Sequence, residues 1–207
     1  MSAFLLGLGL GVAVAAQVGP VSLLVIRTVL RGALVTGLAM AAGVALIDAS
    51  YAGLGALGAG GLLTVDALRL ALGLVGAVVL GVFAIRTLWS AFRVRLGGEA
   101  DDEVTTPRAA LVTALVATAS NPLTILSWAA IFAAASTAEV ASGGTATVAL
   151  LIGVAAGSFA WMAALSTAVS LARRRVGPGA VRTVDVVAGT GLLGFAGLLG
   201  WRSLRER

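Results

Sequence analysis

Apolar residues gather into six stretches, within 3–26, 36–60, 69–89, 109–135, 146–172 and 184–202, and short polar or arginine-bearing segments separate them. A helical crossing of a bilayer needs about 20 such residues, so each stretch is a candidate span. The third and sixth are the shortest. Sixteen uncharged residues lie between Arg69 and Arg86, and sixteen between Asp185 and Arg202. A helix of that length covers about 24 Å, against a hydrocarbon core of about 30 Å. Flanking arginines can snorkel, and Trp89 and Trp201 stand where interfacial aromatics are expected, so both are kept as spans. The pattern predicts an all-α integral membrane protein with six transmembrane helices.

Two of these stretches are interrupted by helix-breaking dipeptides, Gly19-Pro20 in the first and Asn121-Pro122 in the fourth. Proline removes a backbone donor and frees a carbonyl, and lipid offers no replacement partner, so such breaks persist where they line a polar cavity. Paired breaks in corresponding halves of a chain point to a binding site.

The second half echoes the first in order. Val18-Gly19-Pro20-Val21-Ser22 resembles Ser120-Asn121-Pro122-Leu123-Thr124. Gly43-Val44-Ala45 followed by Asp48 and Tyr51 matches Gly153-Val154-Ala155 followed by Ser158 and Trp161. Arg69, Gly73, Gly81 and Arg86 match Asp185, Gly189, Gly197 and Arg202. Three spans per repeat is an odd number, so the two halves must enter the membrane in opposite directions, as inverted repeats. The expected organisation is a first three-helix repeat at 1–92, a cytoplasmic linker at 93–108 and a second repeat at 109–207, with helices 1 and 4 broken at their prolines.

Composition agrees with a lipid solvent: 59% of the 207 residues are hydrophobic and 11% charged, with a mean hydropathy of +1.07, far above soluble domains. The net charge of +5 comes from arginines that fall mostly between the apolar stretches, where they read as topology signals and not as a nucleic-acid patch. Ten of the fourteen, Arg27 and Arg31, Arg86, Arg93, Arg95 and Arg108, and Arg173, Arg174, Arg175 and Arg182, fall on one side; Arg69, Arg202, Arg205 and Arg207 fall on the other. The positive-inside rule puts the first group in the cytoplasm and both termini outside. An apolar run ending in Ala13-Val14-Ala15-Ala16 is signal-like, but no basic residue precedes it.

The chain has no cysteine and no histidine, which excludes thiol chemistry, imidazole metal ligands and histidine-dependent catalysis. No catalytic residue, metal site or cofactor is expected. Glu99, Asp101, Asp102 and Glu103 form an acidic cluster in the linker, which reads as a solvated loop. The informative acid is Asp48, the one ionisable side chain near the middle of a stretch. Placing it there costs at least about 2.5 kcal/mol on insertion scales, which is usually tolerated for function. Asp48 is therefore the candidate for pairing a substrate ammonium and for carrying a proton, with Tyr51 one turn on as a candidate hydrogen-bond partner. Helices starting at Pro20 and Pro122 would offer free N–H groups and a positive dipole end to a carboxylate. Gln17, Gly19, Ser22, Asn121, Thr124 and Ser158 complete the candidate binding set, and a cavity of this kind is complementary to a zwitterion.

At Gln17-Val18-Gly19-Pro20, Arg31-Gly32, Gly37, the Gly43–Tyr51 stretch and Asn121-Pro122-Leu123-Thr124, the chain resembles the lysine exporter (LysE/RhtB) superfamily of amino-acid translocators. The resemblance spans essentially the whole chain. It implies a bacterial inner-membrane exporter of amino acids or similar metabolites, with six helices in two inverted repeats. The family's Pro-Gly-Pro of the first helix is here Val18-Gly19-Pro20, which leaves the substrate open. The expectation is proton-coupled secondary export of small zwitterions, above all neutral amino acids, with protons and lipid as partners. Small residues such as Gly189, Gly194 and Gly197 also permit a homo-oligomer. The alternatives are a divalent metal-ion exporter, which would call for several membrane acids, and a membrane scaffold that moves no solute.

Overall fold

The computed structural model of the protein describes residues 3–17, 19–31, 33–56, 106–135 and 144–173, with single helical positions between 78 and 85 and between 183 and 201. Apart from those positions, the third and sixth stretches and most of the linker lie outside the described residues. So do Val18 and Gly32. What is described is all-helical: α1 (Ala3–Ala15), α2 (Pro20–Arg31), α3 (Leu34–Ala56), α4 (Pro107–Ala119), α5 (Pro122–Ala135) and α6 (Gly144–Ala172).

Helices α3, with 23 residues, and α6, with 29, are each long and apolar enough to cross a bilayer alone. The pairs α1–α2 and α4–α5 are broken spans, bent by 79° and 59°. Each break falls at its proline for the same reason. Proline occupies the first helical position, where its missing N–H is not needed, and the residue before it starts the ladder. Gly19 O accepts from Leu23 N at 3.1 Å, and Asn121 O accepts from Ile125 N at 3.0 Å.

Two helix ends depart from the apolar pattern. Helix α2 continues past position 26 to Arg31, and α4 starts inside the expected linker, at Pro107. Thr106 caps α4, its Oγ1 accepting from Ala109 N at 3.2 Å, and Pro107 presets the first turn. Both signals stand in the sequence, but Arg108 hides them from a count of apolar residues.

The broken helices pack crosswise. Helix α1 lies along α6 with backbone against backbone: a Cβ at Gly7 or Gly11 would collide with the carbonyl of Leu150 or Val154, and one at Gly153 or Gly157 with that of Phe4 or Leu8. Helix α4 lies along α3, where a Cβ on Gly43 would sit 2.8 Å from Ala114 Cβ and 2.9 Å from Leu111 O. Small residues permit such approaches, and in lipid they supply the packing that holds helices together. Partner numbers rise together in both pairs, so each pair runs parallel. The two long helices meet head to tail, with Gly37 beside Ser166 and Gly53 beside Leu151. It follows that α1 runs opposite to α4, and α3 opposite to α6.

Buried apolar side chains, among them Val25, Val29, Met40, Ala114 and Met162, fill the space between α2, α3, α4 and α6. Leu46, Val112, Val116, Leu126, Val148 and Ile152 are exposed, an apolar outer surface suited to lipid. Arg173, just past α6, donates to Val29 O of α2 at 3.4 Å. The arginine-bearing ends of α2 and α6 are therefore on one side, as the charge count grouped them. Arg27, one of the arginines counted as topology signals, is 6% exposed.

Candidate functional site

Asp48 sits on α3 where that helix crosses α6, and the residue is 1% exposed. Each oxygen has a donor. Trp128 Nε1 of α5 donates to Oδ1 at 3.0 Å, and Ser158 Oγ of α6 lies 2.7 Å from Oδ2. Ser158 Oγ is also 3.2 Å from Gly11 O of α1. Its single hydroxyl proton serves one acceptor at a time. With the carboxyl ionised, Ser158 donates to Asp48. With the carboxyl protonated, Asp48 donates to Ser158, and Ser158 donates to Gly11. The arrangement accommodates both states without leaving Asp48 unpartnered.

The two breaks face the same region. Helix α2 opens with Pro20, so the N–H groups of Val21 and Ser22 have no acceptor within the helix. Ser22 Oγ turns back to Gln17 O at 3.3 Å. At the second break Asn121 caps α5, with Oδ1 accepting from Leu123 N at 3.2 Å and Nδ2 donating to Thr124 Oγ1 at 2.9 Å. Gln17 reaches across from the first break to Ser127 of α5, with Nε2 2.9 Å from its Oγ. The breaks are thus tied to each other as well as to their own helices.

One cavity touches both helix starts and Asp48. Gln17, Gly19, Ser22, Asp48, Asn121 and Thr124 line it, with Thr118 of α4 and apolar walls that include Val44 and Met162. Pro20 and Pro122 open the helices that frame it. Ser158 stands behind Asp48 and does not line the space. Measured to water centres the cavity holds about 20 Å³, room for one or two waters. A space of that size is smaller than an amino acid.

Tyr51 corrects one expectation. It does not bond Asp48: its hydroxyl donates to Ala119 O at 2.6 Å. In an unbroken helix that carbonyl would accept from Leu123 N, which here serves Asn121 Oδ1. Tyr51 thus satisfies a carbonyl freed by the Pro122 break. Its counterpart in the matched motif, Trp161, is 40% exposed and faces outward.

Sequence reasoning missed Trp128 and Thr118. Trp128 carried a readable signal, because a tryptophan well inside a span, away from the interface where its ring is usual, needs an acceptor for its N–H. Thr118 carried none, being one threonine in an alanine-rich helix. Among the described residues no three acidic side chains converge.

The family model of the LysE type translocators matches residues 12–203. No curated protein and no solved structure matches the chain. The chain belongs to the LysE type translocator family, a family of transporters.

Proposed function

We propose that this translocator is a proton-coupled exporter of small zwitterionic metabolites, foremost neutral amino acids, across the bacterial inner membrane, with both termini outside. The observation that carries the reading is the single cavity shared by two helix N-termini and one buried carboxyl. Free N–H groups at the start of α2, together with the aligned dipoles of α2 and α5, suit the substrate carboxylate. Asp48 pairs the ammonium and, when the substrate leaves, takes a proton. The double hydrogen-bond option at Ser158 supports that exchange, since the carboxyl keeps its partners in either state.

The directions of the helices support two inverted repeats. The motif-matched helices α3 and α6 run opposite ways, as do α1 and α4, and matched residues take matched roles: Gly43 admits α4 to α3, and Gly153 admits α1 to α6. In this reading α1 and α4 belong to different repeats from the long helices they rest on, and transport rocks these crosswise pairs about the Asp48–Ser158 contact. A metal ion is a poorer fit. Asp48 is faced by two donors, Trp128 and Ser158, whereas a hard cation needs a shell of oxygens.

The test is flux of a labelled mixture of amino acids from proteoliposomes at two imposed proton gradients. Loss of particular neutral amino acids that tracks the gradient is the expected result. Flux indifferent to the gradient would remove the coupling, and no flux from folded protein would remove the amino-acid reading.

A further inference from the structure

Polar side chains around the cavity can be accounted for one by one. Asp48 receives Trp128 and Ser158. Asn121 is occupied at both ends by Thr124 and Leu123. Ser22 and Gln17 hold each other's segment and Ser127. Thr118 is the exception: its Oγ1 is buried, has no hydrogen-bond partner, and belongs to a residue 1% exposed in the cavity wall. Buried hydroxyls are usually satisfied, and valine would fill the same space without an orphaned polar atom.

The depth of Thr118 follows from the parallel packing of α3 and α4. Gly43 meets Ala114 below it, and Tyr51 meets Ala119 above it. Asp48 lies between Gly43 and Tyr51, hence level with the turn that carries Thr118. The two residues flank the cavity at one height.

A primary ammonium has three N–H donors, and buried in a low-dielectric site it needs an acceptor for each. Asp48 already accepts two hydrogen bonds, so its remaining lone pairs do not surround an ammonium. We infer that Thr118 Oγ1 is a further substrate contact, accepting one N–H of the ammonium that Asp48 pairs and so selecting primary over N-methylated amino acids. The inference rests on the export reading above and adds a specificity residue to it.

The experiment compares wild type with Thr118→Val and Thr118→Ser in proteoliposomes. It uses the labelled neutral amino acid that wild type moves fastest, with the same amino acid and its N-methyl derivative as unlabelled competitors. Wild type should prefer the primary amine by about tenfold, the ratio expected for one charge-assisted hydrogen bond. Thr118→Val should weaken the primary amine about tenfold, leave the N-methyl compound unchanged and thus abolish the preference, with a melting temperature no lower than wild type. Thr118→Ser keeps the oxygen and should keep the preference. Equal weakening of both competitors, or an intact preference in Thr118→Val, overturns the contact while leaving export in place. Loss of the preference in Thr118→Ser as well assigns the effect to packing and overturns it too. A folded wild type that moves no amino acid overturns the export reading and the contact together.

Discussion

Replacing Asp48 with asparagine and with alanine separates a binding carboxylate from a structural one. Asparagine is nearly isosteric and can meet the same partners. Its Oδ1 accepts from Trp128 and its Nδ2 donates to Ser158 Oγ, which is then free to donate to Gly11 O at 3.2 Å. The fold should lose at most about 1 kcal/mol, the net value of an ordinary hydrogen bond. The charge is gone, however, and breaking a buried ion pair by removing one partner costs about 3–5 kcal/mol. At 1.4 kcal/mol per tenfold, that is about two to four orders of magnitude in affinity for a substrate ammonium. Alanine instead removes the acceptor 3.0 Å from Trp128 Nε1 at a position 1% exposed, and losing a buried bond of this kind costs about 1–3 kcal/mol before any cavity is counted. Flux from proteoliposomes and thermal unfolding of the same preparations read the two effects separately. Both variants should lose flux, and alanine alone should lose several degrees of melting temperature. Wild-type flux in Asp48→Asn would refute the reasoning and reduce Asp48 to a hydrogen-bonding strut.

Asn121→Asp keeps the cap on Leu123 N but sets a negative charge where the substrate carboxylate is expected. The melting temperature should hold within a few degrees, while apparent affinity for amino acids falls at least about tenfold and that for the matching amine without a carboxylate does not. Equal affinity for both compounds in that variant would count against a carboxylate site at α5. Tyr51→Phe removes the donor to Ala119 O, so unfolding should show a loss of about 1–2 kcal/mol while the primary-amine preference stays intact; a change in that preference would return Tyr51 to the substrate. Gly157→Ala pushes a methyl group onto the Leu8 carbonyl. Overpacking of this kind costs about 1–3 kcal/mol, and a variant as stable as wild type would mean that α1 is not held against α6.

What the sequence made legible was whatever repeats or breaks a rule of the bilayer. The two prolines announced the bends, and Asp48 announced itself by standing alone at depth. The glycines of the repeated motif were visible as matches between the halves, but that Gly43 and Gly153 admit a neighbouring helix is seen only in the packing. Contacts that depend on which helix faces which could not be read. Tyr51 is one turn from Asp48, which made a bond between them reasonable, but the carbonyl at Ala119 is exposed only because α4 ends beside α3. Thr118 faces the cavity only because α3 and α4 run parallel in a particular register. Even helix ends were legible in principle, since Thr106 and Pro107 spell a capped start, yet an apolar count passes over them.

If the two halves are the inverted repeats proposed above, the matched pair Asp48 and Ser158 has a reason to differ. Residues at the centre of two crossing, oppositely directed helices meet each other, and here they are 2.7 Å apart. Identical acids at that distance could not both ionise, and identical serines would give up the charge that an ammonium needs. An acid opposite a hydroxyl meets both requirements, because one member holds the charge and the other supplies a donor that can be turned to Gly11 when the charge is neutralised. The same contact joins α1, α3 and α6. Protonation of Asp48 therefore keeps the contact between α3 and α6 but turns the Ser158 proton to Gly11 O of α1, and in the proposed cycle that added bond links the proton to the movement of α1 against its partner.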